Sequence, residues 1–147
     1  MDAIEFSSKI EKYTGLSNFY NSPFIIDGLQ YPTVEHYFQE QKFPTDPDLQ
    51  SKIRNAPTPQ KAKLLGKTKT AHFRKDWESV KEEIMLKALL AKFNQNTMLL
   101  DLLKSTNNAI LKEKSPWDSY WGTGRYGKGK NRLGVLLMQV RSNIHQK

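Results

Sequence analysis

The sequence predicts a mainly α fold, a compact multi-helix single domain over residues 1–147 with a small N-terminal β element. Three observations predict it. Apolar residues recur every three or four positions along several segments, the spacing of a buried helix face. Only one stretch near the start reads as paired strands around a tight turn. A chain of 147 residues also fits one domain, able to bury roughly 68–70% of its unfolded surface without a disulfide or metal.

Phe24-Ile25-Ile26-Asp27-Gly28-Leu29-Gln30-Tyr31 reads as a hairpin around Asp-Gly, closed by Pro32. Thr33 can then N-cap a helix through Phe43, after which Pro44 and Pro47 break the chain. Two short helices follow near Asp48–Asn55 and Thr58–Lys67, the first bounded by Pro47 and Pro57. The longest helix is expected from Asp76 to Asn94, where Trp77, Val80, Ile84, Ala88 and Ala91 form one stripe. Another is expected over Thr97–Lys104, ended by Thr106-Asn107-Asn108, with a short strand over Ala109–Glu113. Ser115–Asn131 holds four glycines and two tryptophans without periodicity, so it is expected to be a long ordered loop, and such loops are usually functional. A final helix begins near Asn131 and buries Leu133, Leu136, Leu137, Val140 and Ile144.

Composition narrows the chemistry. There is no cysteine, which excludes disulfides, zinc ribbons and cysteine nucleophiles and leaves the redox compartment open. No apolar run approaches the ~20 residues that span a bilayer. The acidic start Met1-Asp2-Ala3-Ile4-Glu5 lacks the basic and apolar parts of a signal peptide. A cytoplasmic protein without a membrane partner is expected. The 23 Lys+Arg against 15 Asp+Glu give +8. That excess favours a polyanionic partner such as a nucleotide or a nucleic acid, although a basic surface also serves solubility alone. His36, His72 and His145 lack metal-ligand spacing, and there is no Gly-x-Ser-x-Gly elbow. Neither a metal nor a cofactor is expected.

Several constellations can carry chemistry. Glu35, Gln39 and Lys42 follow at i, i+4, i+7, so an acid, an amide and an amine share one helix face. On spacing alone, such a stripe opposite Val34, Tyr37, Phe38 and Gln41 reads as the solvated face. His36 reads first as a hydrogen-bonded structural histidine. Asp76 suits an N-cap, and Arg74 suits either a phosphate beside that helix start or a surface ion pair. In Ser115-Pro116-Trp117-Asp118-Ser119-Tyr120-Trp121-Gly122-Thr123-Gly124 the aromatic faces suit a nucleobase or ribose, and Asp118 a sugar hydroxyl or developing positive charge at C1. The same rings can instead plug a small core. Gly122, Gly124, Gly127 and Gly129, interleaved with Arg125, Lys128, Lys130 and Arg132, lead to Asn131; this basic, glycine-rich entry to a helix matches no standard phosphate fingerprint.

The order of these segments resembles the YbiA/NADAR family over roughly residues 15–141. Leu16-Ser17-Asn18-Phe19-Tyr20, Ser22-Pro23-Phe24 and Tyr31-Pro32-Thr33-Val34-Glu35-His36-Tyr37-Phe38-Gln39 with Gln41-Lys42-Phe43 are similar to its opening. Arg74-Lys75-Asp76-Trp77 and Ala91-Lys92-Phe93 are similar to its middle. Ser115-Pro116-Trp117-Asp118, Trp121-Gly122-Thr123-Gly124, Gly129-Lys130-Asn131-Arg132-Leu133-Gly134 and Leu136-Leu137-Met138 are similar to its close.

The resemblance implies an N-glycosidase acting on a phosphorylated ribosyl or ADP-ribosyl substrate. Two substrate classes go with the family: ADP-ribose on guanine, in DNA or as a nucleoside, and a ribosylamino-pyrimidine phosphate of riboflavin biosynthesis. It maps a nucleophilic lysine onto Lys42, with Glu35 as proton shuttle and Asp118 as alternative acid/base or ribose anchor. It implies substrate-binding roles for Asn18, Phe19, His36, Gln39, Arg74, Asp76, Trp77, Trp121, Gly122, Gly124 and Asn131. A nucleotide-binding module without turnover, and a basic nucleic-acid-binding protein using Lys61–Lys75 and Arg125–Arg132, are the readings from other classes.

Overall fold

The computed structural model describes residues 2–145, so Met1, Gln146 and Lys147 of the expected domain, and the side chain of His145, lie outside it. The chain divides into two compact units. Asn21–Gln95 forms one; the segments up to Tyr20 and from Asn96 form the other. Among the described residues helices outweigh four short strands, in keeping with the mainly α expectation. None of these helices is long and apolar enough to cross a membrane.

The Asn21–Gln95 unit opens with the expected hairpin. Strands β2 (Phe24–Ile26) and β3 (Leu29–Tyr31) pair antiparallel, Phe24 against Tyr31 and Ile26 against Leu29. Asp27 and Gly28 turn the chain with φ of 52° and 79°, the two positive values that an Asp-Gly hairpin turn demands. Thr33 caps α1 (Val34–Glu40) by accepting from the His36 amide.

All seven residues of α1 are buried, because the helix packs against α2 (Pro47–Arg54), α3 (Pro59–Leu65) and α4 (Trp77–Gln95). Helix α2 starts at an Asp46 cap and α3 at a Thr58 cap, each followed by proline in the first turn. Phe43, Leu49, Ile53, Ala56 and Ala62 form the apolar cluster between them, flanked by Leu65. At the end of α4, the Gln95 carboxamide both donates to and accepts from the Ile25 backbone at 2.8 Å, clasping β2.

Two expectations need correction here. Helix α1 stops at Glu40 rather than Phe43, since Pro44 disfavours helical backbone just before it. Lys42 therefore sits on the exit turn. On α4 the fully buried face is Trp77, Met85, Ala88, Leu89, Lys92 and Phe93, while Val80, Ile84 and Ala91 are only half-buried. The stripe is rotated because α4 meets both α1 and β2.

In the other unit, β1 (Ala3–Phe6) pairs in parallel with β4 (Ile110–Glu113), Ala3 against Ile110 and Phe6 against Glu113. A 3-10 helix (Glu11–Leu16) packs on α5 (Thr97–Ser105), and α6 (Arg132–His145) packs on β4. Neither β1 nor the 3-10 helix was expected. Leu133, Leu136, Leu137 and Val140 are buried as α6 was expected to bury them, but Ile144 is only half-buried and Arg141 joins the buried set.

Candidate active site

The acid and amide of α1 face inward. Glu35 is 7% and Gln39 4% exposed, so the solvated-face reading of this stripe fails: helices surround α1 on several sides. The Gln39 carboxamide donates to Glu35 Oε2 at 3.0 Å. Neighbouring positions on α1 have structural work. His36 is 1% exposed; its Nδ1 meets Thr33 Oγ1 at 2.8 Å and its Nε2 meets the Ala56 carbonyl at 3.0 Å. Both ring nitrogens are thus used, Nδ1 on the cap of α1 and Nε2 to tie α1 to the end of α2. Burial holds the His36 ring below its ordinary pKa, partly offset by the Ala56 carbonyl. Glu40 is paired with Arg54 and bonded by Gln41. Burial raises its carboxyl while Tyr31 and Arg54 oppose the rise.

Lys42 is half-buried beneath two aromatic rings. Its Nζ lies 5.6 Å from the Trp77 ring centre and 5.9 Å from that of Phe38, rings themselves packed edge to face at 4.9 Å. Aromatic faces favour the ammonium, yet the balance goes the other way. Burial pushes the amine below its ordinary value; Glu35 and Glu78 pull it up, and Lys63 and Lys67 push it further down. A lysine lowered by desolvation and by like charges is the kind that can act as a nucleophile near neutral pH.

The segment before α4 fixes the exit turn on which Lys42 sits. The Arg74 amide donates to the Lys42 carbonyl at 2.9 Å, and Arg74 Nη1 to the Gln41 carbonyl at 3.4 Å. The rest of the guanidinium grips Asp76 in a two-point ion pair, 2.7 and 3.1 Å. Of the two readings of Arg74, the structure holds the ion pair. Asp76 precedes α4, and its backbone carbonyl accepts from Ser79 and Val80 as an N-cap's would, while its carboxylate is given to Arg74. The hydrogen bond from Arg74 holds the Asp76 carboxyl below the usual range.

In the other unit, the expected long loop is held by its own backbone. Gly129, Lys130, Asn131, Arg132 and Leu133 donate in turn to the carbonyls of Thr123, Ser119, Gly122, Tyr120 and Trp121. Asp118 Oδ1 accepts from the amides of Tyr120 and Trp121 at 2.9 and 2.8 Å, which sets the turn that stacks those rings edge to face at 5.0 Å. Gly122 leaves no room for a side chain, since a Cβ there would meet Ser115 Cβ at 2.8 Å. Gly124 has φ 73°.

Asn131, at φ 52°, accepts from the Glu113 amide and donates to the Leu111 carbonyl, fastening β4 to the start of α6. Asn18 is buried and Phe19 half-buried beside the 3-10 helix, where the Phe19 amide donates to Ser17 Oγ. Trp117 and Tyr126 are 91% and 80% exposed, so these two rings plug no core within this unit.

Within Asn21–Gln95 the structure therefore brings together Glu35, Gln39, Lys42 and Trp77, with Arg74 and Asp76 bracing the Lys42 turn, and directs the His36 ring elsewhere. Asp118, Trp121, Gly122, Gly124 and Asn131 are grouped within the other unit. Sequence reasoning missed Phe38, Lys63, Lys67 and Glu78 as neighbours of the amine; Phe38 lies four residues before Lys42 and could have been read from helical spacing, whereas no periodicity links the other three, which reach it from α3, its exit and α4. Among the described residues no cluster of three His, Asp or Glu side chains is arranged to hold a metal ion.

Comparison with known proteins identifies the family. N-glycosidase YbiA of Escherichia coli (strain K12) is 47% identical over 141 residues, covering 96% of this chain and 88% of that protein. An N-glycosidase of Nostoc punctiforme is 40% identical over 136 residues, covering 91% and 87%. The chloroplastic riboflavin biosynthesis protein PYRR of Zea mays is 42% identical over 127 residues, 80% of this chain but 20% of that protein. The NMR structure of E. coli YbiA superposes with a TM-score of 0.90 at 46% identity, over 99% of this chain and 86% of that one. One domain model, the NADAR domain, runs without interruption from residue 5 to residue 145, across every segment that braces Lys42 and every turn of the glycine-rich loop, and the chain belongs to that family.

Proposed function

We propose that this protein is an N-glycosidase that removes ADP-ribose from an exocyclic amine of guanine, in DNA or in nucleosides, through a covalent intermediate on Lys42. The observation that carries the proposal is the half-buried Lys42 amine, lowered by burial, set against the paired Phe38 and Trp77 rings and within the electrostatic reach of Glu35. When ribose C1 carries an exocyclic amine, the sugar ring opens to an imine. The neutral Lys42 amine adds to C1, and Glu35 takes the proton released from the attacking nitrogen. Glu35 returns that proton to the former imine nitrogen, then carries the second lysine proton to it as its C1–N bond breaks, leaving a Schiff base between Lys42 and the sugar and a free amine. Water then adds to C1, restores the aldehyde, and frees the lysine.

Two features support a substrate carried on nucleic acid. The chain has a net charge of +8. The 115–131 loop also exposes Trp117 and Tyr126 among Arg125, Lys128 and Lys130, a pairing of stacking faces with phosphate-seeking cations. A second reading, hydrolysis of a ribosylamino-pyrimidine phosphate, draws on relatives named for riboflavin biosynthesis in Zea mays and Vibrio vulnificus.

Incubation with ADP-ribosyl-guanine DNA and, separately, with the pyrimidine riboside phosphate, followed by assay for released sugar, separates the readings. Borohydride added during turnover is expected to trap a sugar-sized adduct at Lys42. Turnover without any adduct, or full activity in Lys42→Ala, removes the covalent route in favour of a carboxylate-stabilised oxocarbenium path. Binding without turnover of either substrate identifies a non-catalytic module. Trp117→Ala is expected to weaken binding of the DNA substrate roughly tenfold, the loss of one stacked base, and to leave cleavage of the free nucleoside unchanged.

A further inference from the structure

Gln39 is held in its place by a glycine on another helix. Its carboxamide is buried, its Nε2 donates to Glu35 Oε2 at 3.0 Å, and its Oε1 has no hydrogen-bond partner. An unsatisfied amide oxygen in a buried site favours any rotamer that reaches a donor, so packing must oppose that escape. The surface it rests on is the backbone of Gly66, at the end of α3. A Cβ built on Gly66 would fall 1.9 Å from Gln39 Oε1, 2.7 Å from Cδ and 3.2 Å from Cβ. The backbone of Gly66 has φ −64° and ψ −12°, a helical conformation that any residue adopts. Glycine is needed there for space and not for conformation.

We infer that Gly66 is a positioning residue for Glu35: its missing side chain lets the Gln39 carboxamide lie against the end of α3 and hold the carboxylate. The catalytic weight of this inference rests on Glu35 as the proton shuttle proposed above. An alanine at position 66 suits the local backbone, so the fold is retained. The far end of Gln39 swings aside and Glu35 loses a donor. Loss of a hydrogen bond to the ionised form raises a carboxyl pKa. Lys42, Lys63 and Lys67 are unchanged in such a variant, so the charges around the site stay constant.

The test is a double-mutant cycle of Gly66→Ala and Gln39→Ala, read in three ways. Carbon-13 NMR titration of the Glu35 carboxyl is expected to move to higher pH in Gly66→Ala. kcat is expected to fall at least roughly tenfold, with the acid limb of its pH profile moving the same way, while the thermal midpoint holds. In the Gln39→Ala background the space is vacant, so adding Gly66→Ala is expected to change titration and kcat less than about twofold, the mark of coupled neighbours. An unmoved Glu35 titration in Gly66→Ala, or effects that simply multiply in the double variant, overturns the inference. A shifted titration with no effect of Glu35→Gln on turnover supports the positioning and sinks the shuttle assignment.

Discussion

Replacing Lys92 by methionine keeps the length and apolar stem of a side chain that is fully buried on α4, and removes its amine. Burial brings that amine down from its ordinary 10.5 to about 7. Between those values the unfolded chain binds a proton at Lys92 that the folded chain does not. Wild-type stability must therefore rise with pH across the window and be at its lowest below it. Each pH unit is worth about 1.4 kcal/mol, so the rise is about 3 kcal/mol from pH 7 to pH 9.5 and about 5 kcal/mol over the whole gap.

The window is best closed near pH 9.5. Above it the Tyr31 and Tyr37 phenols, both raised chiefly by burial, Tyr37 to about 12, begin to remove stability as the unfolded chain ionises first. Urea unfolding followed by tryptophan fluorescence, for wild type and Lys92→Met at several pH values, measures the effect. Packing differences between the two side chains enter as a constant offset. The stability of the variant relative to wild type is expected to fall by about 1.4 kcal/mol per pH unit. A difference that stays constant from pH 7 to pH 9.5 means that Lys92 is charged inside the fold, and refutes the reasoning.

Three further outcomes follow from the geometry. Lys67→Glu replaces a repulsion on Lys42 by an attraction, so the limb of kcat/KM that needs the free amine moves to higher pH and activity at pH 7 falls several-fold at low salt; a profile superimposable on wild type contradicts this. Arg54→Met strips the guanidinium from buried Glu40 and is expected to cost about 2–3 kcal/mol at neutral pH. Protonation of Glu40 relieves that cost in acid, so the drop in thermal midpoint should shrink at pH 4.5; an equal drop argues against the pairing. Asn131→Ala loses both backbone hydrogen bonds and strains a φ of 52°. Urea unfolding should show a loss of about 2–3 kcal/mol, and Asn131→Gly should lose about 1 kcal/mol less; equal losses would remove the strain argument.

What the sequence revealed was local. Asp27-Gly28 names its hairpin turn, Thr33 names the cap of α1, and prolines bracket α2, so these elements start within two residues of expectation, although α1 ends three residues early. Strand β1 escaped because four residues become a strand only through a partner about a hundred positions away. The i, i+4 spacing put Glu35 and Gln39 on one face, but only the packing of α2, α3 and α4 around α1 turned that face inward. The cations that depress Lys42, and the glycine beneath Gln39, come from α3 and its exit, and contacts between separate helices leave no mark on periodicity.

The parallel pairing of Ala3 with Ile110 has a consequence for synthesis on the ribosome. β1 emerges first, yet its hydrogen-bonding edge has no mate until β4 has been translated. The whole Asn21–Gln95 unit lies between the two strands and makes its own contacts, so it can finish folding while the leading strand waits. At roughly 5–20 residues per second, that wait lasts on the order of ten seconds. A nascent chain of this protein is therefore most open to wrong pairing along β1, after the Asn21–Gln95 unit behind it can already have folded.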